Sequence, residues 1–196
     1  MWERDPSSAS AAGSIGFGPR AASSMRPRSA EPALFGPEMT GDHERFMAIA
    51  VEEAKLGAAA GEQPFGAVVV RGGEVICRTR SLKVSTSDTT AHSETLAIKC
   101  ATQKLKRRTL PDCVFYCTCE PCPMCCGAIL NGGINTLVIG ARSSQLRELA
   151  TLAFNFKDYT VERFAAMVGW ELTVIDGILG AECVALYRDA KVELTR

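Results

Sequence analysis

Apolar positions along this chain switch between two periods, and the switching predicts its elements. Over residues 42–57, Phe46, Ile49, Ala50, Ala54 and Leu56 fall roughly on one side of a helix. Residues 65–71 and 74–80 are β-rich runs separated by Gly72-Gly73, a hairpin signal. Helical spacing returns over 91–105, after the polar start signals Ser87, Asp88, Thr89 and Thr90. A strand at 113–118, a short helix at 122–130 and a strand at 134–140 follow. Residues 142–159 show no single period. A helix over 160–168, a strand over 171–176 and a closing helix over 178–193 complete the pattern. Strands interleaved with helices predict an α/β fold, a three-layer α/β/α sandwich around a five-stranded sheet. The opening hairpin makes that sheet mixed.

Residues 1–38 stand apart. They hold seven Ser, seven Ala, four Gly and five of the nine Pro, without apolar periodicity. Such a segment buries too little surface to offset its ordering entropy, so it reads as a disordered, low-complexity tail. It carries Glu3, Asp5, Glu31 and Glu38, which argues against a transit peptide, and it lacks the apolar core of a secretion signal. Residues 39–196 then read as one domain. The formal net charge is +0, unlike the basic footprint of a dedicated nucleic-acid binder. No apolar run approaches a membrane span.

Nine cysteines change the picture, because Cys113, Cys117, Cys119, Cys122, Cys125 and Cys126 fall so close together. Clustering and an odd count argue for metal-binding thiolates in a reducing, cytoplasmic setting. Cys77, Cys100, Cys113 and Cys183 read as small core hydrophobes, and His43 as a polar residue near a helix start.

The chemistry concentrates in His92-Ser93-Glu94 and Pro121-Cys122-Pro123-Met124-Cys125. His92 lies in the first turn of its helix, and Cys122 and Cys125 sit three apart at the start of another. Pro121 and Pro123 suit a helix start, where a missing N–H costs little. One imidazole and two thiolates give three ligands for Zn2+, leaving a fourth position for water. Glu94 suits a carboxylate outside the metal sphere that moves protons. H-x-E followed by P-C-x-x-C is the known signature of the zinc deaminases. Two other metal readings stay open at this point. Cys119, Cys122 and Cys125 overlap the bacterial iron–sulfur spacing, although Ile129 stands where a fourth cysteine belongs. A structural four-thiolate zinc would want a second cysteine pair.

From about residue 46 to 190 the chain resembles the cytidine and deoxycytidylate deaminase superfamily, in particular its cytosine deaminase, guanine deaminase and bacterial tRNA adenosine deaminase branch. The resemblance rests on Pro64-Phe65-Gly66-Ala67-Val68, Thr90-Ala91-His92-Ser93-Glu94, and the stretch from Glu120-Pro121-Cys122 through Cys125-Cys126-Gly127-Ala128. Gly140-Ala141-Arg142 and Gly177-Ile178-Leu179 fit as well. It implies that His92, Cys122 and Cys125 bind zinc and that Glu94 shuttles protons. It also implies that Ala67 and Cys122 offer backbone groups to the base, and that the protein is a homodimer. The substrate would be a nucleobase or nucleoside, with tRNA as the alternative. Three departures stand out. Ser81 occupies the position of a base-binding Asn, Thr89 replaces a Pro, and the Lys-Thr-Gly-Ala segment of tRNA enzymes is absent. Ser143 to Arg147 occupy that region, and Phe154, Phe156 and Tyr159 follow, either as a stacking wall for a flat substrate or as packing for the terminal helices.

Overall fold

In the computed structural model of the chain, residues 40–147, 149 and 156–188 are described. The readings made for the 1–38 tail, for Phe154 and for the end of the closing helix lie outside these residues.

The hairpin forms where the diglycine predicts it. β1 (Gly66–Arg71) and β2 (Glu74–Arg80) pair antiparallel. Gly72 and Gly73 take φ of 56° and 81°, the two positive values that a tight I′ turn requires. β3 (Cys113–Cys119) joins the other edge of β1 antiparallel. β4 (Thr136–Ala141) and β5 (Thr173–Asp176) then add in parallel. The sheet order is β2-β1-β3-β4-β5, five strands and mixed as expected.

Strand alternation distributes the core to two faces. Val68, Val70, Val114, Tyr116 and Val138 pack under α1 (Thr40–Ala59) and α6 (Gly180–Arg188), against Phe46, Met47, Ala50, Cys183 and Leu186. Val69, Phe115, Leu137 and Ile139 face the opposite way. There they meet Ala97 and Ala101 of α2 (Ser93–Leu105), Ile129 of α3 (Pro123–Asn131) and Val161 and Ala165 of α5 (Val161–Met167). A sheet covered on both faces is the three-layer sandwich. Among its described residues, the unpatterned stretch after β4 contributes a short α4 (Ser143–Arg147).

One expectation is corrected. Cys77 and Cys100 form a disulfide, so they are not free core thiols and not every cysteine is reduced. The physical reason is packing, since α2 lies against the hairpin and brings their Cα atoms to 6.1 Å, within bridging range. His43 does lie near a helix start, and it is buried there with its Nδ1 2.9 Å from the Tyr116 hydroxyl. Among the described residues no helix is long and apolar enough to cross a membrane.

Candidate metal and catalytic site

Both helices that carry the motif begin one or two residues later than their apolar pattern suggests, and the delay shapes the site. His92 is not in the first turn of α2 but is its N-cap, with extended backbone at φ −72°, ψ 153°. Cys122 is likewise the N-cap of α3, at φ −65°, ψ 167°, followed by Pro123 in the first helical position. Neither makes a side-chain cap bond, and Cys122 bonds within its helix to Cys125. An N-cap normally turns its side chain back onto the free N–H groups. Here both turn toward each other instead.

Cys125, buried in the first turn of α3, completes the group. His92 Nδ1 lies 3.5 Å from Cys125 Sγ and 3.9 Å from Cys122 Sγ. Tetrahedral zinc with ordinary Zn–N and Zn–S bonds separates such ligand atoms by about 3.6 Å. The three ligand atoms all lie within 4.8 Å of one another, and among the described residues this is the one such group. The residues therefore fit zinc. Cys119 does not join them: its thiol, in β3, donates to the Glu120 carbonyl at 3.5 Å. That placement removes the iron–sulfur reading.

Electrostatics follow from the geometry. The Cys122 thiol is held down to about 4, by its bond with Cys125 first and then, against burial, by His92. Cys125 is pushed up by the same bond and by burial. The hydrogen bond to Cys122 raises the His92 pKa. A helix N-terminus behind each of His92 and Cys122 favours negative charge in the space between.

Glu94 is 5% exposed, and burial raises its pKa, with the Cys122 charge adding to the effect. Its carboxylate accepts from Ser93 Oγ at 2.8 Å and reaches the Cys125 thiol, yet it stands outside the three-ligand set. A helix interior would have set His92 and Glu94 nearly opposite. Because His92 precedes the helix, its ring and the Glu94 carboxylate both reach the Cys125 thiol.

The other expected residues have the following surroundings. Ala67 is fully buried in β1, and its carbonyl and that of Ser93 both accept from Thr79 Oγ1, at 3.4 and 2.7 Å. Ser81 follows β2, buried, and its Oγ accepts from the Lys83 N–H at 3.4 Å. Phe156 is half-buried, edge-on to Tyr159 with ring centroids 5.7 Å apart. Tyr159 in turn donates to the Pro121 carbonyl at 2.8 Å, one residue before Cys122.

A profile of the MafB19-like deaminases matches residues 41–176. The chain belongs to this family. This deaminase is 36% identical over 145 residues to the tRNA-specific adenosine deaminase of Bacillus subtilis (strain 168), covering 74% of the chain and 85% of that protein. It is 45% identical over 89 residues to the guanine deaminase of the same organism, covering 45% of the chain and 57% of that protein. A structure from work on A-to-I editing by tRNA:A34 deaminases superposes with TM-score 0.63 at 31% identity, covering 72% of this chain and 98% of that one. Coverage falls to 8% for a much longer chloroplastic relative from Arabidopsis thaliana.

One group in this deaminase escaped the sequence reading. Glu120 is only 5% exposed and accepts from four donors: Arg142 Nη1, the Ser143 N–H and hydroxyl, and the Val161 N–H. Its place in Glu120-Pro121-Cys122 was visible, but its partners are distant in sequence.

Proposed function

We propose that this deaminase hydrolyses the exocyclic amino group of a nucleobase, carried free or on a nucleoside. Zinc would be held by His92, Cys122 and Cys125, with Glu94 as proton carrier. The observation that carries the reading is the convergence of two uncapped helix starts on one three-ligand set, with a buried carboxylate beside it. Zinc in such a site supplies Lewis acidity that makes water a nucleophile near neutral pH. Glu94 accepts one proton from the attacking water and passes it to the ring nitrogen, then carries the second from the added hydroxyl to the departing amine. Water is consumed, oxygen replaces nitrogen, and ammonia leaves. The burial that raises the Glu94 pKa suits a group that must both take and give a proton.

The Ala67 backbone beside Ser93, the Ser81 hydroxyl and the Phe156 ring are proposed to hold the base. Neutral net charge favours a small substrate. So does the state of the basic cluster at the end of α2. Arg107 is paired with Asp112 at 2.9 Å, and Lys104 donates to the Ile76 carbonyl at 2.8 Å. Similarity to a tRNA-specific adenosine deaminase over 145 residues supports the second reading, adenosine within tRNA. A homodimer, suggested by the same resemblance, is part of the proposal and is checked by sedimentation. Ammonia release across guanine, cytosine, adenine, their nucleosides and tRNA is the deciding assay. Release from a free base or nucleoside supports the first reading, and release from tRNA alone supports the second. No release from any of them by zinc-loaded protein rejects both.

A further inference from the structure

Resting on the zinc site proposed above, we infer that Glu120 and Tyr159 are positioning residues that set the metal ligand Cys122 from outside the ligand set. Cys122 follows a connector of two residues, Glu120 and Pro121, between β3 and the α3 cap. The Glu120 N–H reaches across to the Ala141 carbonyl at 2.8 Å and its carbonyl accepts from the Cys119 thiol of β3, but its carboxylate bonds groups beyond β4.

Those bonds form a clamp with two jaws. In the first, one oxygen of the Glu120 carboxylate accepts from Arg142 Nη1 at 3.1 Å and the Val161 N–H at 3.2 Å. Its second oxygen accepts from the Ser143 N–H at 3.1 Å and the Ser143 hydroxyl at 2.7 Å. Arg142 is itself fixed, bonding Glu162 and Asp176 at 2.7 Å each. The carboxylate is thus saturated and cannot swing without breaking several bonds. In the second jaw, the Tyr159 hydroxyl donates to the Pro121 carbonyl at 2.8 Å. The peptide plane between Pro121 and Cys122 contains that carbonyl, so the bond fixes the direction in which Cys122 leaves it. Tyr159 is itself wedged edge-on between Phe156 and Phe164, with centroids 5.7 and 6.1 Å away.

Within α3 the Cys122 side chain bonds Cys125 alone, itself a member of the same three-residue group, and makes no cap bond. Groups that orient a metal ligand from outside typically change metal affinity by about 10- to 100-fold when removed. Glu120 and Tyr159 occupy that role for Cys122. The same clamp joins the metal loop to Phe156, so ordering of the Phe156 wall and of the ligand is coupled.

The test measures zinc affinity by chelator competition and the unfolding midpoint of the zinc-free protein, both independent of substrate. Tyr159→Phe keeps the ring and deletes the hydroxyl. Trp170→Phe is the control, deleting a 3.1 Å bond from Trp170 Nε1 to Asn135 Oδ1 away from the metal loop. Tyr159→Phe should weaken zinc about 10- to 100-fold. Its zinc-free midpoint should move no further than that of Trp170→Phe, whose zinc affinity should equal wild type. Glu120→Gln should weaken zinc at least as much, and if it fails to fold the Tyr159 arm decides alone. Equal zinc affinity in Tyr159→Phe and Trp170→Phe overturns the inference while leaving the zinc site standing. So does a loss of affinity matched by an equally enlarged loss of zinc-free stability. Wild-type protein that takes up no zinc overturns the site and the clamp together.

Discussion

The starts of α2 and α3 differ from the start of α5 in one respect, and the difference separates structure from function. Thr160 caps α5 conventionally, its hydroxyl accepting from the Arg163 N–H at 3.2 Å. His92 and Cys122 occupy the same position on their helices with the same extended backbone, yet neither caps. A good cap contributes about 1 kcal/mol. At α2 and α3 that contribution is forgone, and the side chains point instead at each other and at Cys125. A helix start without its cap marks where this molecule gives up stability for a site.

The sharpest way to break the comparison is at Cys122. Cys122→Ala should take bound zinc from about one ion per chain to near zero, read by elemental analysis, and abolish ammonia release. Retention of stoichiometric zinc would mean that Cys122 is not a ligand and that its free side chain needs another explanation. Next in size is Glu94→Gln, which should lower turnover by about a hundredfold to ten-thousandfold with zinc content unchanged. Near-normal turnover on a validated substrate would place the proton carrier elsewhere. Smaller effects should separate the caps themselves. Thr160→Ala should cost about 1 kcal/mol in denaturant unfolding and leave zinc affinity alone. His92→Ser should do the reverse, losing zinc while the zinc-free chain becomes more stable by up to about 1 kcal/mol, because serine can cap α2. Were the zinc-free His92→Ser chain clearly less stable, His92 would be a structural residue and the contrast with Thr160 would fail.

The smallest effect lies well away from all three helix starts. Asp112 is held down to about 2 by Arg107 first and, despite some burial, by Arg71 as well. A carboxyl whose folded pKa is depressed stabilises fully above its unfolded value near 4 and loses that contribution as pH falls toward 2. Side-chain exposure of 43% screens the pair, so the effect should stay within about 1 kcal/mol. Asp112→Asn should therefore flatten the acid limb of the stability curve between about pH 4 and 2. An unchanged limb would remove Asp112 from the account.

The fold was largely legible because its signals are local. Gly72-Gly73 announced the hairpin, and the β-rich run over 65–71 announced its first strand. The grouping of His92, Cys122 and Cys125 was legible too, since the three residues come in two short motifs. What stayed hidden depends on tertiary placement. Cys77 and Cys100 look like core thiols until α2 packs on β2. That His92 is an extended cap, not a first-turn residue, was not legible either, because helix starts are set by tertiary contacts as much as by pattern. Glu120 gathers donors from Arg142, Ser143 and Val161, far along the chain, and no periodicity encodes such a meeting.

The Cys77–Cys100 bond has a topological consequence. With a sequence separation of 23, it closes a covalent ring that contains Ser81, His92 and Glu94 but leaves Cys122 and Cys125 outside. A cross-link of this span removes about 3 kcal/mol of unfolded-chain entropy in the loop-closure model. A protease cut anywhere between 82 and 91 would therefore open the ring without releasing a fragment. The nicked protein would run as one band until a reductant split it in two, so gel mobility before and after reduction reports whether the ring is closed.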